Sequence, residues 1–196
     1  MRIFGVILAG GPGRRMAGRD KALLMLGGQT LLARAAGRLD PQVERFALSA
    51  NGDTGRFAGD FSVLADDESH GPLSGILAAL NWAADLGAIA VVSVAVDTPF
   101  FPCDLVPRLC LAAEGASGGV AIATSAGRDH PTFGLWPVSL RHDLSRFLTS
   151  GAKTRVMDFA RLHGAKRAEF DDDGAFVNLN TPEDLAAAEA MTERLA

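Results

Sequence analysis

The chain has 196 residues, a formal net charge of −4, 48 % hydrophobic residues and 21 % charged ones. That length suits one α/β domain spanning residues 1–196, and the apolar content fills a sizeable core, which excludes wholesale disorder. The acidic balance excludes a general nucleic-acid binder, so any nucleotide recognition is expected to be local.

The first predicted element is a continuous apolar strand, Ile3–Ala9. It begins at the N-terminus and leaves no room for a secretion signal, so a cytoplasmic protein is expected. The strand runs into a glycine-rich turn, Gly10-Gly11-Pro12-Gly13-Arg14-Arg15-Met16-Ala17-Gly18-Arg19-Asp20-Lys21. Arg14, Arg15, Arg19 and Lys21 stand there against Asp20, a local net charge of +3 in an acidic chain. Glycines let backbone N–H groups converge on a ligand, and guanidinium and ammonium groups add charge-assisted donors. The combination predicts an anion site, with phosphates as the ligand. It is not a Walker A loop, because Arg19-Asp20 stand where Lys-Ser/Thr is required. It is not a dinucleotide fingerprint either, because Met16 stands at the third glycine position.

A helix is predicted over Thr30–Leu39, then a strand over Arg45–Ala50 ending at the polar Asn51. A short strand, Ser62–Leu64, precedes the acidic run Asp66-Asp67-Glu68. One member of that run is placed to accept hydrogen bonds from a base or ribose, and the rest are expected to be solvated. His70-Gly71-Pro72-Leu73-Ser74-Gly75 leads into a helix over Leu73–Leu86, a second glycine-rich approach to a helix N-terminus and a second possible anion site.

The strand Ile89–Val96 is the most apolar stretch and is far too short to cross a bilayer, so no membrane partner is expected. Asp97-Thr98-Pro99 follows it. Ligands of open α/β sheets bind beyond the carboxyl ends of strands. A carboxylate there suits a divalent cation, since Mg2+ takes one or two carboxylates plus phosphate oxygens and water. The competing reading is a turn that caps the next segment.

A helix over Asp104–Glu114 carries Cys110 and follows Cys103. The two cysteines lack a metal-like pairing with histidines, and no disulfide scaffold is expected. Strands over Val120–Thr124 and Thr132–Trp136 flank Arg128-Asp129-His130-Pro131, where His130 reads as a turn residue. Helices follow over Ser139–Leu148 and Thr154–His163, the second opened by Lys153-Thr154-Arg155. Strands are expected over Ala168–Phe170 and Ala175–Val177, joined through a hairpin-like turn at Asp171-Asp172-Asp173-Gly174. Phe176-Val177-Asn178-Leu179-Asn180 alternates, which puts Asn178 and Asn180 on one side of an extended segment. Those amides either bind a polar ligand or tie down the turn. Thr181 is placed to cap the last helix, Pro182–Leu195, with Pro182 at its first position and Asp184 three residues after the cap.

Continuous apolar strands alternating with helices predict an α/β protein with a doubly wound, mostly parallel sheet covered by helices on both faces. The chain has no tyrosine, and it shows no Ser/His/Asp grouping or paired carboxylates at telling spacing. Catalysis by a strong side-chain general base is therefore not expected.

Leu8-Ala9-Gly10-Gly11-x-x-x-Arg15-Met16-x-Gly18-x-Asp20-Lys21 closely resembles the signature of the molybdenum cofactor guanylyltransferases, the MobA family. Gly71-Pro72-Leu73-x-Gly75, Asp97-Thr98-Pro99, His130-Pro131-Thr132, Arg155-Val156-Met157 and Phe176-Val177-Asn178-Leu179-Asn180-Thr181-Pro182-Glu183-Asp184-Leu185 continue the resemblance in order along the chain. It implies a three-layer Rossmann-like nucleotidyltransferase fold and transfer of GMP from GTP to Mo-molybdopterin, with release of pyrophosphate. It implies nucleotide contacts at Leu8, Ala9, Gly10, Gly11, Lys21, Asn51, Asp66 and Asp97. Arg15, Lys21 and Asp97 take catalytic roles, with Asp97 the Mg2+ ligand. Asn178 and Asn180 fall on the pterin side. Ala17 departs from the glycine common at that position and fits only with negative φ. A monomer with transient contacts to other molybdenum cofactor biosynthesis proteins is expected. A cytidylyltransferase for the same pterin is the nearest alternative, and a non-catalytic cofactor-binding protein is another.

Overall fold

A computed structural model describes residues 2–9, 20–52, 54–57, 59, 61–65, 70–150 and 154–194. Its main sheet has seven strands in the order β5-β4-β1-β6-β8-β7-β9. These are β1 (Ile3–Leu8), β4 (Arg45–Ser49), β5 (Ser62–Leu64), β6 (Ala90–Ala95), β7 (Ala121–Ser125), β8 (Arg128–Pro137) and β9 (Lys166–Phe170). β1 pairs in parallel with β4 on one side and β6 on the other, and β4 pairs in parallel with β5. β8 runs antiparallel to both β6 and β7, while β7 and β9 are parallel. The chain builds outward from β1 through β4 to β5, then returns to the far side of β1 with β6. That reversal opens a crevice at the carboxyl ends of β1 and β6.

The apolar runs have a direct cause. In β1, Ile3 and Ile7 join one core, and Phe4, Val6 and Leu8 join the other. The first core packs under α1 (Leu31–Leu39), α3 (Leu105–Glu114) and α6 (Pro182–Arg194). The second packs under α2 (Pro72–Asp85), α4 (Arg141–Thr149) and α5 (Val156–Leu162). Both faces of the sheet are covered, so alternation disappears from the sequence. A Cβ at Gly5 would lie 2.7 Å from Leu39 Cδ2, so the missing side chain lets α1 lie close to the sheet. Trp136 is fully buried, and its indole N–H donates to Ser93 Oγ at 2.9 Å, which satisfies two polar groups inside the sheet. Among the described residues, no helix is long and apolar enough to cross a membrane.

Several expected elements change. A second, two-stranded sheet joins β2 (Met25–Leu26) to β3 (Gln29–Thr30), which the sequence reading did not place. Its turn is Gly27-Gly28 with φ of 54° and 74°, the left-handed pair that tight hairpins need. Gly27 N–H donates to both carboxylate oxygens of Glu189 on α6, which docks the hairpin against that helix. β8 starts at Arg128, not Thr132, so His130 is a strand residue and not a turn residue. The register of β7 against β8 shifts between Ile122 and Ala123. Pro131 lacks an N–H for the ladder, and the irregularity accommodates it without ending the strand. Ala175–Val177 is not a strand: Asp173–Phe176 forms a 3₁₀ turn, with Asp172 Oδ1 accepting from Gly174 N–H at 2.9 Å. The asparagine segment therefore follows a tight turn and not a hairpin.

Candidate active site

The site gathers where β1, β4 and β6 end. Leu8 C=O accepts from Val96 N–H at 3.1 Å, and Ala9 N–H donates to Ser49 C=O at 2.9 Å, which holds the three strand ends level. Gly10, Gly11 and Arg15 lie outside the described residues, as does Asp66. The chain re-enters at Asp20. Its Oδ1 accepts from Ala22 N–H at 3.0 Å, and its Oδ2 accepts from Arg56 Nε at 2.6 Å. This acid thus caps the short 3₁₀ turn Lys21–Leu23 and fixes where Lys21 leaves the backbone.

Lys21 Nζ lies 2.8 Å from Asp97 Oδ2 and 2.6 Å from Asn180 Oδ1. The side chains of Lys21 and Asp97 are 21 % and 22 % exposed, sheltered enough to strengthen their attraction and open enough to meet a ligand. One ammonium group therefore joins the N-terminal loop, the end of the central strand and the C-terminal asparagine segment. Leu179 N–H donates to Asp97 C=O at 2.7 Å, and the buried Thr98 hydroxyl donates to Asn178 Oδ1. Asn178 and Asn180 share one side of the segment, as the alternation predicted, and both amide oxygens are engaged.

The last helix starts as its sequence signals. Asp184 N–H donates to Thr181 Oγ1 at 3.1 Å, and Asp184 Oδ2 accepts from the N–H groups of Asn180 and Thr181, both at 2.9 Å. This reciprocal cap also fixes the backbone of Asn180. Thr181→Ala is expected to cost about 1 kcal/mol of stability, read by chemical denaturation. The backbone N–H groups of Asn180 and Thr181 hold the Asp184 carboxyl below its ordinary pKa. Its stabilising contribution is then complete above the ordinary aspartate value of about 4 and is lost as pH falls through the depressed folded value. Asp184→Asn should melt below the parent protein at neutral pH, and the gap should shrink on acidification.

Asn51 sits exposed just beyond β4, and its C=O accepts from Arg56 Nη2 at 2.9 Å. The same arginine that holds Asp20 thus reaches the end of β4. Sequence reading did not single out Arg56; its partners lie 36 and 5 residues away. The Gly71–Gly75 approach is closely packed. Gly71 takes φ of 67° before α2, and a Cβ on Gly75 would lie 2.8 Å from Leu8 Cδ2 and press on the Ser49 hydroxyl. Glycine there brings the first turn of α2 against the ends of β1 and β4. Ser74 Oγ accepts from His70 N–H at 2.8 Å.

Beside the Lys21 cluster lies a cavity of about 700 Å³, bounded by Asn178 and Asn180 on one side and the β7–β8 hairpin on the other. His130 stacks on Phe176, with ring centroids 4.3 Å apart and an interplanar angle of 10°. His130 Nε2 lies 2.7 Å from the hydroxyl of the buried Ser125. Asp129 is held below the usual carboxylate range by Arg167, which donates to it at 2.7 and 3.1 Å and ties β8 toward β9. An aromatic wall facing amide groups suits a flat, polar heterocycle.

Among the described residues no group of three or more His, Cys, Asp or Glu could hold a metal ion. Asp97 offers a single hard oxygen donor at a strand end. That fits a cation completing its shell with phosphate oxygens and water.

The family model described as MobA-like NTP transferase domain matches residues 5–166. The chain is 57 % identical over 195 residues to the molybdenum cofactor guanylyltransferase of Cereibacter sphaeroides, covering 99 % of each chain. It is 47 % identical over 202 residues to that of Mesorhizobium japonicum, covering 98 % of this chain and 97 % of the relative. The fold resembles molybdopterin-guanine dinucleotide biosynthesis protein A from Archaeoglobus fulgidus, with a TM-score of 0.77 at 22 % identity over 97 % of this chain and 99 % of that one. It also resembles 2-C-methyl-D-erythritol 4-phosphate cytidylyltransferase from Thermus thermophilus, with a TM-score of 0.72 at 19 % identity over 98 % of this chain and 100 % of that one. A family model matched over most of the chain and full-length relatives at 47–57 % identity show that the chain belongs to the MobA-like nucleotidyltransferases, in the family of molybdenum cofactor guanylyltransferases.

Proposed function

We propose that this enzyme transfers GMP from GTP to the terminal phosphate of Mo-molybdopterin and releases pyrophosphate. The observation that carries the proposal is the Lys21 ammonium bound to both Asp97 and Asn180. It joins a phosphate-binding side, at the ends of β1 and β4, to an acceptor side, at the cavity lined by Asn178, Asn180 and His130.

The chemistry suits these residues. A phosphomonoester has a second pKa of about 6, so the acceptor phosphate is largely dianionic at neutral pH. It needs no strong general base. An acceptor oxygen forms the new bond to the α-phosphorus of GTP, and the bond from that phosphorus to the bridging oxygen of the β-phosphate breaks. The electron pair leaves with pyrophosphate. The barrier lies in bringing two anions together. Lys21, with Arg15 and the amides of Gly10 and Gly11 in the loop, offsets that charge and stabilises the in-line transition state. Asp97 is the residue that would hold Mg2+, which when bound neutralises triphosphate charge and orients the α-phosphate. Leu8 and Ala9 would border the nucleotide, Asn51 and Asp66 would contact its base or ribose, and Asn178 and Asn180 would hold the acceptor.

Mass spectrometry of the product after incubation with Mo-molybdopterin, Mg2+ and either GTP or CTP tests the proposal. A guanine dinucleotide from GTP and no product from CTP is expected. A cytosine product would overturn the choice of base. Tight GTP binding without pyrophosphate release would overturn catalysis.

A further inference from the structure

Asp97 and Thr98 are consecutive, and their side chains take different partners. Asp97 meets Lys21, and Thr98 meets Asn178. Thr98 is fully buried, so its hydroxyl needs a partner within the protein. It has one proton to donate. Asn178 Oδ1 lies at close hydrogen-bonding distance, while Asp97 Oδ1 is at 3.5 Å, the outer limit for such a bond. The proton therefore goes to the amide oxygen of Asn178.

That choice sets what Asn178 presents to the cavity. With its oxygen turned toward Thr98, its NH2 group faces the exposed side. Asn180 is arranged alike, since its oxygen accepts from Lys21. Both residues line the cavity, each with its amide oxygen already accepting one bond from the protein, so their N–H donors are the groups left wholly for an incoming ligand. N–H donors held toward the cavity favour a group rich in lone pairs, such as a phosphate oxygen. An asparagine free to flip would present either end.

We propose that Thr98 is a positioning residue for the acceptor substrate: its hydroxyl locks the Asn178 amide with NH2 toward the cavity. Thr98 does not touch the substrate and acts only through Asn178. The assignment of the cavity to the acceptor rests on the function proposed above.

Thr98→Val keeps the buried volume and removes the proton, and Thr98→Ser keeps the hydroxyl. In steady-state assays with separately varied substrates, Thr98→Val is expected to raise KM for Mo-molybdopterin about tenfold, the worth of one well-placed hydrogen bond. KM for GTP should stay unchanged, and Thr98→Ser should stay close to the parent enzyme. An unchanged acceptor KM in Thr98→Val, or an equal loss in both variants, overturns the proposal. A second readout needs no substrate. In amide NMR spectra, the side-chain NH2 signals of Asn178, assigned with Asn178→Asp, should shift in Thr98→Val, as the released amide turns, and not in Thr98→Ser. Unmoved signals overturn the lock whatever the reaction proves to be. A parent enzyme inactive toward this acceptor, with the NMR shift present, overturns the functional reading and leaves the lock standing.

Discussion

Asp97→Asn should fold as the parent does and lose transfer activity by about 10²–10³-fold in kcat, the range seen when one preorganised electrostatic contact is removed from a reacting centre. The backbone explains why folding survives. Asp97 C=O still accepts from Leu179 N–H, and Thr98 still meets Asn178. Only the carboxylate charge goes. Lys21 keeps Asn180, but the site loses its one described strand-end carboxylate for a cation. Rates at saturating GTP, with matched thermal melts, check the prediction. A variant that melts normally and turns over like the parent would remove Asp97 from the mechanism. Titration with Mn2+ in the presence of GTP gives a second reading, in which weaker cation binding by Asp97→Asn is expected.

Lys21→Met should produce a loss of similar size for a different reason. In the proposed reaction Lys21 stands where the two anionic substrates meet, and methionine preserves much of its length without its charge. In the resting protein its ammonium serves as counter-ion to Asp97. Partly exposed ion pairs contribute little to stability, about 0–1 kcal/mol, so the melting temperature should change only slightly. The loss should appear mainly in kcat, because the charge it offsets is greatest as the two phosphates approach. Lys21→Arg should recover only part of the rate. A planar guanidinium cannot place a compact charge 2.8 Å from Asp97 Oδ2 and 2.6 Å from Asn180 Oδ1 in the same geometry. Full turnover by Lys21→Met would show that the loop arginines suffice.

Where sequence reading succeeded, the signals were local or periodic. Thr181, Pro182 and Asp184 announce a helix start within four residues, and the cap forms as written. Asp97 was legible because a carboxylate ended a buried strand. Where the reading failed, a local rule met a tertiary constraint. The strand was expected to begin at Thr132, after Pro131, yet pairing with β7 carries β8 back to Arg128. Ala175–Val177 was expected to be a strand, but a single tight turn sets Phe176 against Phe133 and Phe170. Gly27-Gly28 was a readable hairpin signal passed over because its strands are only two residues each.

The amino-acid order alone determined that the chain makes a sheet covered on both faces, that a cationic glycine-rich sequence follows its first strand, and to which family it belongs. Only the tertiary structure decided that Lys21 meets Asp97 and Asn180, 76 and 159 residues away, that Thr98 orients Asn178, and that His130 lies flat on Phe176. Helical and strand periods, caps and turns act over a few neighbouring residues, and so leave their mark in sequence. Which strand ends share a crevice depends on sheet order, and that is set by burial summed over the whole chain.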